Sequence, residues 1–239
     1  VFEPLNFDLR KGEILGITGL VGAKRTEMAR AIFGADPLDG GEIYIHGQQV
    51  VIKNPTDAIK AGIAYLSEDR KLNGIAVKMS IRENITMASM DKVSNKYGLI
   101  SAPEEGKASN TFIGKMGIKT PTIEQLVSNL SGGNQQKVVI GKWLFRDAKV
   151  MIFDEPTRGI DVGAKYAIYE LLNELACQGV GVIMISSELP EVLGMSDRVI
   201  VMKEGEMTGI LDARQTDQEE IMHYATGAKD MFAHGYGEA

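Results

Sequence analysis

Apolar residues fall along this chain in two rhythms. Continuous runs occur at Ile14-Leu15-Gly16-Ile17-Thr18, Val150 to Phe153 and Val180 to Ile185. Runs rich in Val and Ile, without polar alternation, predict strands buried on both faces of a parallel sheet. Ile63-Ala64-Tyr65-Leu66 predicts another strand. Helical spacing appears between these runs: Ala164, Ala167, Ile168, Leu171, Leu172 and Leu175 line one face of a helix from about Val162 to Gln178, which Gly179 stops. A shorter helix, Thr26 to Phe33, is closed by Gly34. Strand, long helix and strand in this order make a right-handed crossover between parallel strands.

Turn residues divide the remainder. Phe7 to Glu13 predicts a strand running into a turn. Glu42 to Ile45 and Gln48 to Ile52 flank the turn dipeptide His46-Gly47 and predict a hairpin; Arg198 to Met202 and Glu206 to Leu211 flank Glu204-Gly205 and predict a second. From about residue 70 to 145 the pattern becomes polar and helix-forming, punctuated by Gly98, Pro103 and Pro121, as an inserted helical lobe would be. Its last helix runs from Ser131 through Val138, Val139 and Lys142, with Trp143 and Leu144 as packing residues. The predicted fold is α/β: a mainly parallel core sheet, an antiparallel edge lobe and the helical lobe, in one domain over residues 1–229, with 230–239 as a frayed tail.

Composition removes several classes of partner. A net charge of -6 argues against a surface built to hold nucleic acid. No segment reaches the ~20 apolar residues needed to span a bilayer, so membrane association is expected through a protein partner. Cys177 is the single cysteine and reads as a plain thiol in a reducing compartment. His46, His223 and His234 are scattered, a pattern that argues against a histidine metal centre.

Chemistry concentrates in three places. Leu130-Ser131-Gly132-Gly133-Asn134-Gln135-Gln136-Lys137 puts a hydroxyl and two glycines at a helix start, where free N–H groups and the positive dipole end favour a phosphate. The apolar strand ending Phe153-Asp154-Glu155-Pro156 carries two carboxylates at its carboxyl end, where Asp154 can hold Mg²⁺ through water and Glu155 can accept a proton from an attacking water. Between the first apolar strand and the first helix lies Gly19-Leu20-Val21-Gly22-Ala23-Lys24-Arg25-Thr26-Glu27, the context of a phosphate-cradling loop. The standard pattern places a glycine where this chain has Lys24 and a lysine where it has Arg25, while Thr26 keeps a hydroxyl for Mg²⁺. Lys24 is expected to distort or widen the loop, and Arg25 to keep the charge without the fit of an ammonium. The alternative is a plain strand-to-helix turn with solvated basic residues.

Together these motifs resemble the signature and Walker B elements of ATP-binding cassette (ABC) ATPases. Over essentially the whole chain, the sequence resembles the carboxyl-terminal cassette of the tandem ATPase subunit of monosaccharide ABC importers of the ribose and galactoside type. Ser67-Glu68-Asp69-Arg70-Lys71, Asp154 to Gly163 and Ser186-Ser187-Glu188-Leu189-Pro190-Glu191 contribute to the likeness, and the lysine-bearing loop points to the galactoside branch. The resemblance implies a P-loop NTPase fold of ABC type with ATP and Mg²⁺ as ligands. It implies nucleotide contacts from Gly19, Gly22, Ala23, Lys24, Arg25, Thr26 and Glu27, and from Ser131, Gly132, Gly133 and Gln135 toward an ATP held by a partner cassette. Asp161 would link the two sites. Glu68 stands where the family has a metal- and water-sensing glutamine, and Ser187 where it has a histidine for the γ-phosphate.

The implied partners are an amino-terminal cassette of the same polypeptide, transmembrane permease subunits and, indirectly, a sugar-binding protein, at the cytoplasmic face of the membrane. The first strand and the adenine-stacking aromatic are expected upstream of residue 1, in a longer polypeptide. Two other readings stay open: a non-hydrolysing module that binds a partner cassette, and a soluble ABC ATPase acting on nucleic acid or ribosomes, which the acidic balance disfavours.

Overall fold

The computed structural model describes residues 5–160 and 162–231, without the side chains of Arg70, Lys71, Val162 and Ala164. The strands are β1 (Ile14–Gly19), β2 (Ile43–Ile45), β3 (Gln48–Val50), β4 (Ile63–Leu66), β5 (Val150–Asp154), β6 (Gly181–Ile185), β7 (Arg198–Lys203) and β8 (Glu206–Asp212). The helices are α1 (Arg25–Ile32), α2 (Pro55–Ala61), α3 (Ile81–Thr86), α4 (Met90–Val93), α5 (Ala102–Met116), α6 (Gly132–Phe145), α7 (Val162–Cys177), α8 (Leu189–Met195) and α9 (Gln218–Thr226). The chain forms two compact units: one takes in residues up to Tyr65, Lys149–Glu155 and those from Tyr169 on; the other takes in Leu66–Ala148 and Pro156–Ile168.

The first unit is built on a six-stranded sheet in the order β4-β5-β6-β1-β7-β8. β1 pairs in parallel with both β6 and β7, β5 pairs in parallel with β6, and β8 closes the edge antiparallel to β7. The three apolar runs therefore share one sheet, and all five residues of β6 are buried. Leu15, Ile17, Ile152, Phe153 and Met184 are fully buried at its centre. Gly16 lies within β1 because a Cβ there would stand 2.3 Å from Ser196 Oγ and 2.8 Å from Val192 Cγ1, so the glycine lets α8 pack directly on the strand.

Both predicted hairpins form. β2 and β3 pair antiparallel around His46 and Gly47, whose φ of 50° and 76° give the doubly left-handed turn that matches strand twist. Glu204 and Gly205 repeat it between β7 and β8, with φ of 52° and 97°. The predicted opening strand does not form: residues 5–10 are irregular and lead into a turn at Lys11-Gly12. Its polar groups are taken by a charge clasp instead of a ladder. Glu13 accepts the Arg10 N–H at 2.7 Å and pairs with Arg198, which also binds Asp8. At the other end, the Met231 N–H donates to the Thr208 carbonyl at 2.8 Å, and residues 232–239 of the predicted frayed tail lie outside the described residues.

The second unit is helical. α3 starts in a capping box in which Ser80 and Glu83 exchange hydrogen bonds, and α3, α5 and α6 pack against one another. Arg82 links α3 to Glu105 of α5 and to Glu124, and Thr86 donates to the buried Glu105 at 2.8 Å. A π-helical turn, Arg70–Gly74, is tied to α6 by buried Lys142, whose Nζ donates to the Gly74 carbonyl at 2.6 Å. Burial pulls the Lys142 ammonium down to about 8.

Candidate functional site

The carboxyl ends of parallel strands leave a crevice where loops can meet a ligand, and in the first unit the predicted chemistry gathers at those ends. β1 ends at Gly19, where a Cβ would stand 2.1 Å from the Met202 carbonyl oxygen. The chain then turns through Leu20 to Lys24, with the Ala23 N–H donating to Leu20 at 3.0 Å, and enters α1. Gly22 takes φ +87° in open space, and Lys24 takes φ 64°, ψ 31°, the left-handed conformation that glycine adopts freely. The loop therefore keeps a left-handed turn at Lys24, at a backbone cost of about 1–2 kcal/mol for a residue with a Cβ.

Arg25 turns toward the sheet. Its guanidinium donates to the Ser186 carbonyl at 3.0 Å and stands 3.9 Å from the Glu155 carboxylate, both side chains being largely buried. Ser187 Oγ donates to the other oxygen of Glu155 at 3.2 Å. Glu155 itself has φ 48°, so the turn after β5 is a second strained position at the same site. Burial raises its carboxyl above the usual range, while Ser187 and Arg25 hold the shift back.

Asp154 is 1% exposed at the end of β5. Tyr65 donates its hydroxyl to Oδ2 at 2.8 Å, and Oδ1 is buried with no hydrogen-bond partner among the described residues. Burial raises the Asp154 carboxyl, opposed by hydrogen bonds from Tyr65 and Thr26; burial and the Asp154 charge push the Tyr65 phenol strongly up. A buried carboxylate oxygen without a partner, near a threonine hydroxyl, suits a hard cation such as Mg²⁺ that keeps most of its waters. Among the described residues no three His, Cys, Asp or Glu side chains form a cage of their own. Glu27, in the first turn of α1, is exposed.

The second unit holds the other predicted residues. Ser131 is the exposed N-cap of α6, ahead of Gly132 and Gly133, and its Oγ accepts from Asn134 Nδ2 at 3.0 Å. Asn134 Oδ1 accepts the Lys119 N–H at 3.0 Å. Gln135 is buried and donates to the carbonyls of Val127 and Leu130 at 3.1 and 3.2 Å, which makes it a brace for the turn entering α6. Glu68 is exposed and ion-paired with Arg158. Asp161 lies outside the described residues.

Sequence patterning missed Tyr65, Arg158 and the partners of Ser186. Tyr65 had a signal: a hydroxyl on the strand predicted before the Asp154 segment, able to satisfy a buried carboxylate.

Comparisons with known proteins follow the same pattern. A family model described as ABC transporter matches residues 2–158. The putative ribose/galactose/methyl galactoside import ATP-binding protein 1 of Agrobacterium fabrum is 58% identical over 227 residues, covering 95% of this chain and 45% of the relative. The xylose import ATP-binding protein XylG of Thermoanaerobacter pseudethanolicus is 55% identical over 230 residues, covering 96% of this chain and 45% of the relative. This chain thus spans less than half the length of these curated relatives. The structure of cbiO1 from Clostridium perfringens superposes with a TM-score of 0.76 at 20% identity, over 95% of this chain and 88% of that one, a likeness of fold. With a phosphate-type loop, a carboxylate-tipped β5 and a glycine-led α6, and a family model matching well over half its length, the chain belongs to the ABC transporter family.

Proposed function

We propose that this chain is a nucleotide-binding cassette of the ATPase subunit of a monosaccharide ABC importer, the carboxyl-terminal one of a tandem pair. In this reading it gives an intact signature to its partner cassette and carries a weakened phosphate loop of its own. Relatives of 58% and 55% identity carry the names of ribose/galactose/methyl galactoside and xylose import proteins, which supports the monosaccharide class. The remaining partners are permease subunits, which hold the cassette at the cytoplasmic face of the membrane, and a sugar-binding protein acting through them. Among the described residues no helix is long and apolar enough to cross a membrane.

The observation that carries the asymmetry is the position of Arg25. Its guanidinium is spent on the Ser186 carbonyl and beside Glu155. To face a phosphate it must give up both contacts, and Glu155 loses part of its basicity while the cation stays beside it. Ser187 has a hydroxyl but no imidazolium to offer developing phosphate charge. When bound, Mg²⁺ would sit against Thr26 and, through water, Asp154, supplying charge neutralisation at the phosphates. Glu68, in the second unit, is committed to its ion pair with Arg158. In the signature half, Ser131, Gly132 and Gly133 offer a hydroxyl and N–H groups to the terminal phosphate of the partner's ATP.

Titration with ATP and Mg²⁺, first of this chain alone and then with an amino-terminal cassette, tests the reading. Weak binding and slow turnover alone, with a rise on pairing, are expected. Tight binding with turnover on the order of 1 per second by the chain alone would overturn it. No rise on pairing would favour the second reading, a non-hydrolysing partner-binding module, to which the Arg25–Glu155 contact also lends support.

A further inference from the structure

Behind Ser187 lies a buried carboxylate that phosphate chemistry does not use. Glu191, in the first turn of α8, is 6% exposed. Tyr169 on α7 donates its hydroxyl to Oε1 at 2.7 Å, and Ser186 Oγ donates to Oε2. Ser186 is fully buried, and its Oγ also accepts the Glu188 N–H at 3.1 Å. That hydroxyl thus donates once and accepts once inside its own segment. The same short segment makes two of the contacts around Glu155: the Ser186 carbonyl takes the Arg25 guanidinium, and the Ser187 hydroxyl reaches the Glu155 carboxylate.

A buried carboxylate is costly unless hydrogen bonds satisfy it, and leaving a buried hydroxyl unpaired is costly in turn. Glu191 and the two hydroxyls therefore hold one another in place. We propose that Glu191 is a positioning residue of the nucleotide site: by fixing Ser186 it sets the neighbouring Ser187 hydroxyl against Glu155, and through Tyr169 it ties that setting to α7. The inference rests on the reading of Ser187 and Glu155 as the phosphate end of the site.

Two measurements on this chain test it. Binding of a fluorescent ATP analogue with Mg²⁺ is compared among wild type, Glu191→Ala, Glu191→Gln, Ser187→Ala and the Glu191→Ala/Ser187→Ala double variant. Amide hydrogen exchange is followed across residues 181–195 in the same proteins. Glu191→Ala is expected to weaken analogue binding about tenfold and to speed exchange at 186–188 while β6 keeps its protection. Glu191→Gln, which keeps the side-chain length and an acceptor for one of the two hydroxyls, restores both in part. The double variant is no weaker than the weaker single one, because both changes remove the same setting.

Losses that multiply, a Gln variant as impaired as the Ala variant, or unchanged exchange at 186–188 would each overturn the proposal. If wild type binds no nucleotide, the reading of the phosphate site fails, and the exchange pattern still decides whether Glu191 sets the segment. Should Glu191→Ala fail to fold, Tyr169→Phe removes one donor only. It is expected to give a smaller rise in exchange at 186–188, and no rise would overturn the link to α7.

Discussion

The loop entering α1 and the turn entering α6 are both helix starts, yet each uses its side chains differently. At α1 the cap is Lys24 in a left-handed conformation, and the next side chain, Arg25, folds back onto Ser186 and Glu155. At α6 the cap is Ser131 in an extended conformation, exposed, with its oxygen accepting from Asn134 so that its proton is left to donate outward. The first start spends its charge inside the chain; the second presents its donor to whatever approaches. A helix N-terminus is thus a potential anion site, and neighbouring side chains decide whether that potential is available.

On the tandem reading proposed above, the sharpest test of this contrast is Ser131→Arg in a protein that joins this cassette to its partner. It is expected to abolish ATP hydrolysis and transport in reconstituted membranes while leaving circular dichroism unchanged, since the residue is exposed. Residual transport would mean that the α6 start does not meet the partner's phosphate. Next in size is Glu155→Gln. A working general base contributes about 10²–10⁴-fold, so a loss well below a hundredfold is expected here and, on the proposed tandem reading, a larger one from the matching change in the partner cassette. Equal losses in steady-state ATPase would erase the distinction.

Stability separates the two starts as well. Gly19→Ala drives a Cβ into the Met202 carbonyl and is expected to cost about 1–3 kcal/mol in urea unfolding, whereas Gly133→Ala, inside α6, is expected to be neutral or to gain up to about 1 kcal/mol. A smaller effect concerns pH. Burial raises the Asp154 carboxyl in the folded state, so the fold loses stability as pH rises from the unfolded to the folded value and keeps that deficit above it. Asp154→Asn, which still accepts from Tyr65, should raise Tm by a few degrees at neutral pH, with the gain vanishing below the ordinary carboxylate range. An unchanged Tm at neutral pH would show that the Tyr65 and Thr26 bonds offset the burial. The smallest change is expected from Glu68→Gln: its ion pair with Arg158 is exposed, and loss of such a pair shifts stability by only about 0.2–1 kcal/mol.

The sheet was legible because burial on two faces leaves a continuous apolar run, and β1, β5 and β6 each show one. The hairpins were legible because His46-Gly47 and Glu204-Gly205 occupy left-handed turns. Residues 7–13 misled because Phe7 and Leu9 alternate as in a strand while Asp8, Glu13 and Arg198 determine the local path. The motif residues could be named from spacing, but not their partners. Nothing in the order of residues said that Arg25 would turn to Glu155, or that Tyr169 and Ser186 would converge on Glu191. Periodicity reports which side chains are buried; the pairing of polar groups depends on distances that only the folded chain sets.

The left-handed backbone at Lys24 has a consequence for how far this loop stands from a conventional one. Two exchanges, Lys24→Gly and Arg25→Lys, would complete the standard phosphate-loop pattern on a main chain already bent to receive it. Glycine would relieve the strain that lysine imposes there, and an ammonium, unlike a guanidinium, could not span from Ser186 to Glu155 as a fork. On the proposed reading, the weakness of the loop would lie in two side chains laid over a main chain already turned as the standard pattern needs, and those two exchanges would be expected to strengthen nucleotide binding.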